Sequence, residues 1–100
     1  MSKEAVAISD VLSGVLKKLG LQHRVRVARI AQDWERLVGS KIARHCRPVA
    51  VRGGTLVVNV DSSVWLSELS NFFKEKMLEQ IHSEPGGKGI KHIRFRIGEI

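Results

Sequence analysis

The spacing of apolar positions changes several times along the chain, and each change marks an element. From Val6 to Leu19 the residues Ile8, Leu12, Val15, Leu16 and Leu19 fall three and four apart, which predicts an amphipathic helix with Gly20 just past its end. A second run, from about Gln22 to Val38, repeats the pattern through Val27, Ile30, Ala31, Trp34, Leu37 and Val38. Gly39 interrupts it, and Lys41 to His45 reads as one further turn. Pro48 closes the helical stretch in this reading, because proline cannot continue a helix. Val49, Ala50 and Val51 then form a short strand entering Gly53-Gly54, a dipeptide that supplies the positive φ of a tight hairpin turn. Thr55 to Val60 is the returning strand, in which Leu56, Val58 and Val60 alternate with Thr55, Val57 and Asn59.

Asp61, Ser62 and Ser63 are natural N-cap residues for a third helix, whose apolar stripe is Trp65, Leu66, Leu69, Phe72, Phe73, Met77 and Ile81. Ser83 to Gly89, glycine-rich and holding Pro85, is a loop. It leads to a last strand, Ile90 to Ile97, where Ile93, Phe95 and Ile97 alternate with His92, Arg94 and Arg96. The predicted order is α-α-β-β-α-β. One-sided alternation in the strands predicts an α+β fold with a three-stranded sheet covered by helices on one face.

A chain of 100 residues has room for one domain, 1–100, with a modest core. Its 43% hydrophobic and 27% charged residues are ordinary for a globular protein and speak against disorder. No window reaches 18 consecutive apolar residues and the amino terminus lacks the layout of a secretory signal, so a cytoplasmic protein without membrane contact is expected. Cys46 stands alone, which leaves no internal disulfide and no second thiol to share a metal.

The net charge of +7 is unevenly placed. Lys17 to Arg52 holds ten Lys or Arg against Asp33 and Glu35. Gly53 to Gly87 holds only Lys74 and Lys76 against five carboxylates, and Lys88 to Arg96 is again purely cationic. A fold that brings the first and last segments together presents a basic face that attracts nucleic-acid backbones. The candidate contacts are Arg24, Arg26, Arg29, Arg36, Lys41 and Arg44 on the second helix and its extra turn, with Lys88, Lys91, Arg94 and Arg96 on or before the last strand; Lys17 and Lys18 extend the patch. A solvated basic surface without a ligand is the plainer alternative.

The residues that carry chemistry elsewhere are not arranged for it here. His23, His45, His82 and His92 make no i, i+4 pair and join no ligand cluster, so no metal and no cofactor is expected. Cys46 beside His45 lacks an orienting third group and reads as a structural thiol. No paired carboxylates, triad or cofactor loop suggests an enzyme or a small-molecule substrate. Gly86-Gly87-Lys88-Gly89 matches the GxxG loop with which KH domains clamp a nucleic-acid backbone, but it joins a helix to a strand rather than two helices, so it is read as a flexible turn. Trp34 and Trp65 both lie in helical stripes and are read as core residues rather than stacking platforms.

Trp34, Leu37-Val38-Gly39, Ile42-Ala43, His45, Pro48, Gly54, Leu56-Val57-Val58, Val60, Ser62-Ser63, Trp65, Glu68-Leu69 and Ile93-Arg94-Phe95 together resemble the pattern of the DciA family, over roughly Val6 to Gly98. The resemblance implies a KH-like domain and a role as operator or loader of the bacterial replicative DNA helicase. The implied partners are that helicase and single-stranded DNA. Many family members carry a flexible tail beyond this domain, whereas the sequence here stops at Ile100. For the helicase contact the bulky cluster Phe72, Phe73 and Met77 is the candidate, with one phenylalanine expected to be partly exposed. A KH-like RNA-binding module is the competing reading, because basic composition fits RNA equally well.

Overall fold

A computed structural model describes residues 23–100; the helix expected over Val6 to Leu19 lies outside them. Residues 23–32 are helical (α1) and lead into α2 (Trp34–Val38) and α3 (Ser40–Ala43). Strands β1 (Cys46–Arg52) and β2 (Thr55–Val60) follow, then α4 (Ser63–Glu68), a π-helical turn (Leu69–Phe73) and α5 (Lys74–His82). A 3-10 turn (Pro85–Gly87) precedes β3 (His92–Ile97). The sheet order is β1-β2-β3, with β1 antiparallel and β3 parallel to the central β2. A parallel neighbour needs a crossover, which α4, the π turn and α5 provide.

From the second predicted helix onward, the α+β order and the three-stranded sheet are those of the structure, with differences at the boundaries. The second helix is interrupted at Asp33 and again at Gly39, whose φ of 91° only glycine adopts freely. Strand β1 begins at Cys46, not Val49, and Pro48 lies inside it. Proline is tolerated there because β1 is an edge strand and the pairing shifts by one residue between Pro48 and Ala50, a β-bulge at Val49. The hairpin turn is as expected, with Gly53 at φ 54° and Gly54 at φ 85°.

The third helix starts where Ser62 Oγ accepts a hydrogen bond from Trp65 N at 3.2 Å. Its stripe is not continuous. The π turn adds a residue within the helix, so Leu69 and Met77 are buried, Phe73 is half-buried, and Phe72 is 72% exposed. Leu56, Val58 and Val60 of β2 have no exposure and form the centre of the core, with Cys46 and Val51 from β1 and Ile93 from β3. Ile30, Trp34, Leu37, Leu69, Met77 and Ile81 close over them from the helices. Trp34 also donates its indole N–H to Cys46 O at 3.1 Å, which fixes α2 to the start of β1.

Between α5 and β3 the chain turns tightly against the last turn of α5. Gly87 is buried there, and a methyl group on it would run into the Ile81 carbonyl, which is backbone and cannot swing aside. Gly86 is roomier: a Cβ there would meet only Arg29 Cδ, at 3.8 Å. Gly87→Ala is therefore expected to lower the unfolding free energy by roughly 1–3 kcal/mol, the usual penalty of overpacking. Gly86→Ala should stay near the wild type, both read from chemical denaturation curves.

Candidate nucleic-acid interface

The core side of the sheet is fixed by Cys46, Pro48, Val51, Leu56, Val58, Val60 and Ile93, so the register determines what faces away from it. On that second face Arg47, Asn59 and Arg96 lie side by side across the three strands, Ala50, Val57 and Arg94 form the next row, and Arg52, Thr55 and His92 the last. Arg47, Arg52, Arg94 and Arg96 are all exposed, and none of these strand positions holds a carboxylate. The bulge at Val49 is what puts Arg47 and Arg52 together. Five residues apart in an unbroken strand, they would point to opposite faces; the extra residue reverses the parity, so they pair with Asn59 and Thr55 on one face.

Asn59 organises one end of this surface. Its side-chain oxygen accepts from Arg96 Nε at 2.8 Å, and its amide nitrogen donates to Glu99 O at 3.0 Å. With Nε held, both terminal nitrogens of the Arg96 guanidinium remain for a ligand, the two-pronged arrangement that suits a phosphate.

The structure divides the cationic residues expected to act together. Arg24 lines a cleft of about 460 Å³ between α1 and the β1 edge, walled by Val27, Ala31, Pro48 and Val49 and shared with Arg47. Arg26 is half-buried and donates from Nε to Gly86 O at 3.2 Å, so it staples α1 to the glycine loop. Exposed Arg29 lies along the same loop. Lys88 and Lys91 are exposed beside the hairpin, where Lys91 N donates to Gly54 O at 2.7 Å. Arg36 is spoken for: its guanidinium bridges Glu84 at 2.8 Å and Asp33 at 3.3 Å, and the bond to Glu84 holds its pKa above the ordinary value. Exposed Lys41 and Arg44, on and just after α3, stand at the opposite end of the sheet from the hairpin, because α3 feeds directly into the first residue of β1. One basic helix face is thus replaced by two groups of charge, one along the sheet and the hairpin end, one beside α3. Arg47 and Arg52, absent from the expected set, belong to the first.

Of the cluster expected at a protein partner, Met77 is 3% exposed and packs in the core, Phe73 rests half-buried against it, and Phe72 is the exposed member. Trp34 is buried as expected. Trp65 is only half-buried; the His45 ring stacks on it, with centroids 4.5 Å apart and planes 15° from parallel, while His45 Nδ1 donates to Asp61 Oδ2 at 2.9 Å. His82 donates to Ile90 O and ties α5 to the approach to β3. Among the described residues no three His, Cys, Asp or Glu side chains converge as a metal site would require, and no helix is long and apolar enough to cross a membrane.

The molecule is thus a small α+β domain whose mixed three-stranded sheet is helical on one side and arginine-rich on the other. Residues 7–95 match the family model described as "Dna[CI] antecedent, DciA", and the chain belongs to the DciA family. Similar curated proteins include a UPF0232 protein of Mycobacterium marinum, 31% identical over 94 residues that make up 94% of this chain and 50% of that protein. A UPF0232 protein of Corynebacterium glutamicum is 27% identical across 91% of this chain and 51% of its own length. One from Mycobacterium tuberculosis is 30% identical across 79% and 42% respectively. The chain spans about half the length of the curated relatives it matches.

Cys46 supplies a chemical check on the packing that carries Arg47. The thiol is 1% exposed and donates to Ile42 O at 3.3 Å, and burial pushes its pKa up to about 11 from an ordinary 9.0. The unfolded chain ionises first, so the stability this thiol contributes is complete below about pH 9 and is lost as pH rises towards 11. Cys46→Ala should lack that component of the alkaline stability loss. In the wild type at pH 8, iodoacetamide should label the thiol only as fast as the protein unfolds; rapid labelling of the folded protein would contradict this packing.

Proposed function

We propose that this domain is a non-enzymatic, cytoplasmic DNA replication factor that engages the bacterial replicative DNA helicase and single-stranded DNA and promotes helicase loading. Membership of the DciA family supports the replication role and the helicase as partner. The observation that carries the nucleic-acid half is the exposed group Arg47, Arg52, Arg94 and Arg96 on a sheet face without carboxylates. Guanidinium groups bind phosphate in two-pronged fashion, and the backbone of a single strand offers one phosphate per nucleotide. Arg24, Arg29, Lys88 and Lys91 border this surface and extend it.

The one ring at a strand position on this face is the His92 imidazole beside the hairpin, so charge supplies most of the affinity. Binding is then indifferent to sequence and steeply dependent on salt. RNA carries the same phosphates and is the second ligand to test.

Four arginine–phosphate pairs on a single strand predict a slope of about −3 in log K against log salt concentration. Arg94→Ala with Arg96→Ala should reduce that slope by about 1.4, near 0.7 for each phosphate no longer neutralised, measured by fluorescence anisotropy across a salt series. Lys41→Ala with Arg44→Ala, on and just after α3 and outside the strand face, should leave it close to wild type. A salt-independent affinity would overturn the electrostatic account, and a strong preference for RNA would favour the RNA-binding reading. Direct titration against the purified replicative helicase of the same bacterium tests the protein half; no binding there would remove it.

A further inference from the structure

On the helical side, away from the arginine face, α2 and α3 do not close fully against the crossover, and two hollows remain on either side of Phe73. One, of about 310 Å³, lies between Leu37 and Met77 and has Arg36 and Lys76 among its walls. The other, of about 570 Å³, lies between Ile42 and Trp65 and has Lys41 and Glu68 among its walls. Val38, Ile42 and Phe73 border both, so the two form one apolar groove with Phe73 dividing its floor.

The charges around this groove differ from those of the helical layer that surrounds it. Glu75 and Glu79 on α5 line neither hollow. Arg36 is occupied by Glu84 and Asp33, whereas Lys41, Lys76 and Glu68 form no ion pair among the described residues. A free lysine therefore stands at each hollow, with one free carboxylate beside Lys41.

We infer that this groove is the docking surface for an amphipathic helix of the helicase. A groove between two helical elements, with two apolar compartments along it, accepts apolar side chains from successive turns of one helix face. Charge complementarity sets its flanks: an acidic residue opposite Lys76, another opposite Lys41, and a basic residue opposite Glu68. The inference rests on the helicase reading proposed above and adds to it the surface and the chemistry of the segment that fills it. Because groove and arginine face lie on opposite sides of the sheet, the domain holds protein and nucleic acid at once.

The two tryptophans allow a direct test. Protein labelled with 5-fluorotryptophan gives two fluorine resonances, from Trp34 in the core and Trp65 in the groove wall. Adding the purified helicase should shift the Trp65 resonance and leave that of Trp34 in place, and adding single-stranded DNA should leave Trp65 unmoved. Lys41→Glu with Lys76→Glu, both exposed positions that the fold does not need, should weaken helicase binding by about ten-fold or more. Wild-type binding with an unmoved Trp65 resonance and undiminished affinity in the double variant would overturn the groove while leaving the helicase reading intact. Absence of any binding by the wild type would overturn both.

Discussion

The pairing of β1 with β2 decides the character of both sides of this domain. A strand with Cys46, Pro48 and Val51 turned inward cannot also keep Arg47 and Arg52 on one outward face unless a residue is inserted, and the bulge at Val49 is that insertion. Regular pairing through Val49 would instead turn Arg52 toward the core and Val51 toward solvent, and the sheet has no room to compensate because β2 is packed without exposure at Leu56, Val58 and Val60. The buried ladder and the exposed arginines are thus set by the same local irregularity. Trp34 reinforces it, since its bond to Cys46 O anchors the strand immediately before the bulged segment.

Periodicity along the chain was enough to read the strand–strand–helix–strand order, the hairpin turn and most of the core, because Leu56, Val58, Val60, Leu69, Ile81 and Ile93 repeat at the spacing their elements require. It misread β1, since proline signals the end of a helix more strongly than it signals an edge strand, and a bulge leaves no mark in an alternation of apolar residues. That error hid Arg47 and Arg52. Arg36 looked as available as its neighbours, and only the fold brings Glu84 to it from 48 positions away. The π turn likewise separates Phe72 from Phe73 in a way that a regular helical wheel does not show. Arg94 and Arg96 were legible because β3 alternates without interruption.

The helical layer and the sheet divide the electrostatics between them. Glu68, Glu75 and Glu79 lie exposed on the crossover elements, while the outer face of the sheet carries only positive charge at its ionised positions. A polyanion near such a domain is drawn more strongly to the sheet face than to the helical side, where Lys74 and Lys76 offset these carboxylates.

The hairpin and the glycine loop, more than thirty residues apart in sequence, form one structural unit. Lys91 N and His92 N both donate to Gly54 O, and a side chain at Gly54 would stand only 3.3 Å from Gly89 O. Added bulk at Gly54 therefore presses on the approach to β3, beside the point where its register with β2 begins. For divergence within the family this ties one position to another: a bulkier residue at Gly54 calls for an accommodating shift around Gly89, so these two points of the chain are expected to vary together.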